Sequence, residues 1–144
     1  MHIMIIWIKK EEIYWRIVRP NTCSDVGPLH ADKWFWDLNN DNTPKNKTRV
    51  KCWISIWCKG LNGLQIYPGS QLKEFKYNFE NRDGEKKPVF KLKSSKKKIK
   101  KLNCKPGTII IFNDKLLHGG TLNKSSITRV SIEFTMLVNK KYLN

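Results

Sequence analysis

The stretch Val50-Lys51-Cys52-Trp53-Ile54-Ser55-Ile56-Trp57 decides the fold class. Val50, Cys52, Ile54 and Ile56 fall on one face; Lys51, Trp53, Ser55 and Trp57 fall on the other. Period two belongs to a strand, in which successive side chains point to opposite faces. The same signal recurs outward from this stretch. Residues 3–8 and 13–18 are short, β-branched and aromatic. Residues 64–67 are stopped by the turn pair Pro68-Gly69, and residues 89–92 are another short candidate. Residues 108–112 read as a strand buried on both faces, and residues 128–138 as a long final strand. Turn residues separate them at 39–44, 60–63, Asp83-Gly84, Pro106-Gly107 and Gly119-Gly120. No stretch holds a helical period over a dozen residues, and no internal repeat is present. Many short strands with regular turns predict an all-β sandwich or barrel.

The chain has 144 residues, one domain's worth, so residues 1–144 are read as a single domain. A hydrophobic fraction of 40% supplies one core and excludes a disordered tail. No apolar run is long enough for a membrane-spanning helix. The apolar opening at residues 1–8 is too short for a secretory signal, and Lys9-Lys10 follow it where a signal needs them in front. The expected location is the cytoplasm. Cys23, Cys52, Cys58 and Cys104 form no C-x-x-C pair and read as reduced thiols.

The net charge of +16 comes from 23 Lys but only 5 Arg. With 13 Asn and 15 Ile, this is the profile of an AT-rich genome. Residues selected for phosphate or base contact lean on Arg, whose planar fork suits both, so nucleic acid is not the expected partner. The charge still favours anionic ligands. Residues 73–105 carry 13 Lys and Arg against 4 acids and read as a solvated, Lys-rich insertion.

The chain has three histidines. His2 sits at the chain end and is assigned no role. His30 and Asp32 are two apart, so on an extended segment they share a face. His118 lies just beyond the strand at 108–112 and can supply a third ligand from a neighbouring strand. Two imidazoles and one carboxylate with open positions form the facial triad of non-haem Fe(II) oxygenases. His-x-Asp alone is a weak signal; Arg129 strengthens it. An arginine inside an apolar strand is costly unless an anion pairs with it, and its fork suits a carboxylate such as that of 2-oxoglutarate. Ser131 faces the same way and adds a hydroxyl donor.

At this point the chain resembles the phytanoyl-CoA dioxygenase-like branch of the Fe(II)/2-oxoglutarate oxygenases. The matching text is Pro28-Leu29-His30-Ala31-Asp32, the 50–57 strand with Trp53, and Asn62-Gly63 through Pro68-Gly69-Ser70. Pro106-Gly107-Thr108, Leu117-His118-Gly119-Gly120 and Thr128-Arg129-Val130-Ser131 complete it, so the likeness spans roughly residues 12–138. It implies a double-stranded β-helix, a cupin-like jelly roll, here in a minimal version without the family's usual N-terminal helices. It implies His30, Asp32 and His118 as iron ligands, Arg129 and Ser131 on 2-oxoglutarate, and Trp53 lining that pocket. The implied reaction is hydroxylation of a small, anionic-leaning organic substrate by O2, with release of CO2 and succinate and with ascorbate as in vitro reductant. The text departs from the family at Gln71, where a histidine is usual, and at Gly120, where a serine is usual, so one cosubstrate hydrogen bond is expected to be missing. Apolar surface left by the absent helices invites homodimerisation. The competing expectations are a basic β-barrel that binds nucleic acid and a catalytically inactive, truncated jelly roll.

Overall fold

Alternation at residues 50–57 grows into β2 (Lys47–Trp57), an eleven-residue strand at the centre of the molecule. The computed structural model describes residues 13–82, 84–91 and 98–142. In it β2 lies between β9 (Arg129–Asn139) and β7 (Ile109–Asn113), and β1 (Tyr14–Val18) closes the other edge against β9. All pairings in this four-stranded sheet are antiparallel. A second, three-stranded sheet orders β6 (Lys100–Lys101), β3 (Leu64–Ile66) and β8 (His118–Gly120). Trp53 and Phe112 from the first sheet pack with Leu64, Cys58, Cys104 and Leu116 between the two. This two-sheet arrangement is the jelly roll.

The first sheet inverts the usual distribution of polarity. On β2 the inward positions are Arg49, Lys51, Trp53 and Ser55, all buried, while Val50 and Ile54 are only half-buried. On β9 the inward positions are Arg129, Ser131 and Glu133, also buried. The outward face leaves Trp15, Ile17 and Ile111 more than 60% exposed. A sheet whose polar face is the buried one encloses a site as well as a core, because buried polar groups require partners.

Several expectations need correction. The 108–112 strand is not buried on both faces: Ile109 and Ile111 are exposed, because β7 is an edge strand whose outer face is uncovered. Trp57 leaves the Trp53 face, because a bulge between Ser55 and Trp57 breaks the alternation, and it is exposed. The strand expected at 89–92 lies earlier, as β5 (Glu85–Val89), paired with β4 (Asn78–Arg82). The Lys-rich segment is therefore partly built structure: it holds this hairpin and β6, and its Phe75, Tyr77 and Phe90 pack against Trp34 and Leu117. Among the described residues one α-helix, α1 (Lys33–Leu38), occupies a stretch too short for helical periodicity to register. The strand expected at 3–8 lies outside the described residues. Among the described residues no helix is long and apolar enough to cross a membrane.

Candidate metal centre and cosubstrate pocket

Backbone pairing draws His30 and His118 together from positions far apart in the chain. Each donates its N–H to the other's carbonyl at 2.9 Å, forming an isolated bridge beside β8. Their ring centroids are 4.6 Å apart. Phe35 packs edge-on against His30, and Phe112 lies tilted against His118. Asp32 reaches the pair differently from the expected shared extended face. It has helical dihedrals (φ −61°, ψ −31°) and starts α1, and this turn brings its carboxylate to the imidazoles. Asp32 Oδ1 is 3.5 Å from His30 Nε2 and 3.8 Å from His118 Nε2. One ligand atom from each of the three residues lies within 4.8 Å of the others.

The ring tautomers follow from the partners. His30 Nδ1 is 2.9 Å from the Pro28 carbonyl, and His118 Nδ1 is 2.9 Å from the Leu116 carbonyl. A carbonyl only accepts, so each Nδ1 carries a proton, and in the neutral ring Nε2 then keeps a lone pair for a metal. A backbone carbonyl is one of the usual partners that orient a metal-bound histidine. Burial pushes the His118 pKa down to about 4, against the opposing pull of Asp32, so its ring is neutral near pH 7. Burial alone would raise Asp32, but the facing His118 and His30 rings and the Lys51 ammonium outweigh it. They hold the carboxyl well below the usual range. Two histidines and one carboxylate are the donor set that suits Fe(II).

Lys51 is buried beside the cluster. Its Nζ is 3.4 Å from Asp32 Oδ2 and 3.8 Å from Glu133 Oε1, and Glu133 also pairs with Arg16. The ammonium thus faces the carboxylate oxygen turned away from the imidazoles. It sits outside the ligand triangle, on the side of β1 and β9, 5.9 Å from the Tyr14 ring centre.

Trp53, Ser55, Arg129 and Ser131 line the inner face beside this centre. Ser55 stands directly opposite Ser131, and Trp53 opposite Glu133. Arg129 donates through Nη1 to the carbonyls of Asn62, Gly63 and Thr121. Among the described residues no carboxylate pairs with it. Burial lowers its pKa from the ordinary arginine value, the direction expected of a guanidinium short of counter-charge. Arg129 Nε, Ser55 Oγ and Ser131 Oγ are buried without any hydrogen-bond partner. Three unused donors on one buried face fit an anion such as the distal carboxylate of 2-oxoglutarate. At Gly120 a Cβ would stand 3.1 Å from Arg129 Nη2, so the missing side chain leaves room for the guanidinium.

The expected residues His30, Asp32 and His118 meet at one point, and Trp53, Arg129 and Ser131 share one inner face. Ser55, Lys51 and Glu133 were missed as site residues. Their signal was present, since Lys51 and Ser55 share Trp53's parity and Glu133 shares that of Arg129.

Comparison with known proteins follows this geometry. The phytanoyl-CoA dioxygenase family model matches residues 9–131. No curated protein matches the chain. Among solved structures, EvdO2 from Micromonospora carbonacea var. aurantiaca aligns with TM-score 0.68 at 12% identity, over 89% of this chain and 52% of its own. The same protein complexed with 2-oxoglutarate aligns equally well, at 13% identity over 88% and 51%. EctD from S. alaskensis, solved with 2-oxoglutarate and 5-hydroxyectoine, aligns with TM-score 0.53 at 18% identity over 90% and 45%. These likenesses establish the jelly roll. The chain spans about half the length of the structures it matches.

Proposed function

The chain belongs to the phytanoyl-CoA dioxygenase family of Fe(II)- and 2-oxoglutarate-dependent oxygenases, and from that premise we propose that it hydroxylates a small organic substrate, releasing CO2 and succinate. Iron(II) would be held by His30 Nε2, His118 Nε2 and an Asp32 oxygen. When bound, the metal and 2-oxoglutarate supply oxygen activation coupled to oxidative decarboxylation. The chain's own groups do the positioning. The Pro28 and Leu116 carbonyls hold both rings in the ligating tautomer. Lys51 holds Asp32 ionised and turned, Arg129 with Ser131 and Ser55 grips the distal carboxylate, and Trp53 walls that pocket. A reducing, cytoplasmic setting belongs to the proposal, and the four cysteines are unpaired thiols, three of them buried.

The observation that carries this reading is the convergence of three ligand atoms within 4.8 Å, with both imidazoles already oriented by carbonyls. The test is anaerobic Fe(II) or Mn(II) binding together with succinate release from 2-oxoglutarate in the presence of ascorbate. One metal per chain and succinate release are expected in the wild type, and both are expected to be lost in Asp32→Ala. Succinate release that persists in Asp32→Ala refutes the ligand set.

A further inference from the structure

Lys47, Arg49 and Lys51 occupy three successive inward positions on β2. Lys51, the innermost, has its carboxylates. Arg49 has none. It is 8% exposed, yet among the described residues no acid lies within ion-pair distance of it. Its Nη1 donates to the Asp41 carbonyl at 2.9 Å, and its guanidinium lies over the Trp36 ring, 4.6 Å from the centroid. Both partners are neutral. Asp114, buried on the same cleft, acts on Arg49 as a counter-charge only from beyond ion-pair distance, so the guanidinium keeps capacity for a further anion.

Arg49 opens onto a cleft of about 540 Å³ that is also lined by Lys33, Lys47, Lys140 and Gln71. Lys47 and Lys140 have no ion-pair partner among the described residues. The cleft's acids do not cancel these cations. Asp37 is taken by Lys33 Nζ at 2.6 and 2.7 Å, and the Asp114 carboxylate is shared among Arg49, Lys33 and Lys115. Asp41 remains, exposed, and offers Arg49 its carbonyl.

Residues that line the cleft adjoin the metal ligands through the backbone. Lys33 follows Asp32 in sequence and donates its N–H to the Asp114 carbonyl at 3.0 Å. Gln71 follows Ser70, whose hydroxyl accepts the Leu117 N–H next to His118. One inward position beyond Arg49, Lys51 touches Asp32.

We propose that this cleft takes the oxyanion, carboxylate or phosphate, of the substrate, with Arg49 as its central ligand and Lys47 and Lys140 at its rim. The assignment to the substrate rests on the oxygenase reading, whereas the anion site itself needs no metal. Trp36 reports on the site, because its indole lies against the Arg49 guanidinium.

The experiment is a titration of metal-free protein with inorganic phosphate, and separately with acetate, at constant ionic strength. Trp36 is followed through its indole N–H resonance, assigned with Trp36→Phe. A saturable shift is expected. Arg49→Gln is expected to weaken it about tenfold, the value of one charge-assisted contact. Lys124→Gln, which removes an equal charge from an exposed position outside the cleft, is expected to leave it unchanged. If Arg49→Gln does not fold, Lys47→Gln with Lys140→Gln is expected to weaken the shift several-fold. The stronger of the two probes identifies the oxyanion. No saturable shift, or equal weakening by Lys124→Gln, overturns the site and leaves only diffuse charge. Mn(II) binding in the same samples separates the two ideas. Metal binding without anion binding removes this site alone; anion binding without metal binding sinks the oxygenase reading and the substrate assignment with it.

Discussion

Ser55 and Ser131 permit a test in which stability and affinity move in opposite directions. They face each other across β2 and β9, both 0% exposed, and neither hydroxyl has a hydrogen bond. The backbone of Ser55 is satisfied: its N–H donates to the Thr108 carbonyl at 2.9 Å, and its carbonyl accepts from Gly107 at 2.8 Å. Only the side-chain oxygens are left over. An unpaired buried hydroxyl costs about 1–3 kcal/mol. Replacing either serine by alanine removes that cost and leaves a hole of only one atom. The ligand-free protein should gain about 1 kcal/mol per site, or roughly 2–4 °C in melting temperature at this chain length. Cosubstrate affinity should fall instead. A hydroxyl donating to a carboxylate contributes about 1.5 kcal/mol or more, roughly tenfold in Kd. Because both hydroxyls would serve one anion, the double variant should lose less than the sum of the singles. Calorimetric melts of metal-free protein read the first effect. Anaerobic titration of 2-oxoglutarate into Mn(II)-loaded protein reads the second. Alanine variants that melt lower and bind 2-oxoglutarate unchanged would refute the reasoning and make the hydroxyls structural.

Three further outcomes are expected. Gly63→Ala places a Cβ 2.3 Å from Cys104 Sγ and 2.9 Å from its Cβ, so it should lower the urea midpoint by an overpacking cost of about 1–3 kcal/mol; Cys104→Gly in the same chain should recover much of it. Lys51→Met strands the buried Asp32 carboxylate, Glu133 keeping Arg16, and should cost about 3 kcal/mol by denaturant titration, with Lys51→Arg costing less. In the metal-free protein, stability should fall as pH drops from about 6.5 towards about 4. Folded His118 stays neutral across that window while the unfolded imidazole takes up a proton, so the unfolded state binds more protons. Over the whole window the loss is roughly 3 kcal/mol from this group, and a melting temperature that is flat from pH 7 to pH 4 would contradict the burial assigned to it.

Strand existence was legible wherever side chains alternate, because the two-residue period is a local property of extended backbone. β1, β2, β3, β7 and β9 were all anticipated within a few residues. β4, β6 and β8 were not, and Gly119-Gly120, expected as a turn, lie in β8 because pairing with β3 extends them. Further features also escaped the sequence. The α1 helix is six residues long, shorter than two helical turns. The bulge after Ser55 depends on β9 alongside, not on β2 itself. The exposure of Ile109 and Ile111 depends on β7 lying at a sheet edge. Composition could not show that Lys51 and Arg49 point inward, since charged residues at alternate positions ordinarily mark the solvent face.

By itself the order of residues determined which side chains are available for the site, and on which parity of each strand they stand. His30, Asp32, His118, Arg129 and Ser131 could be put forward as candidates from residue chemistry, spacing and the family resemblance. Only the tertiary structure decided which parity faces inward, that Asp32 reaches the imidazoles by a turn into α1, and that Ser55 meets Ser131. Those outcomes depend on pairing between segments far apart in the chain, such as Lys47–Asn139 and Tyr14–Glu133. The register of distant strands is set by the summed packing and hydrogen bonding of the whole sheet, so no local pattern encodes it.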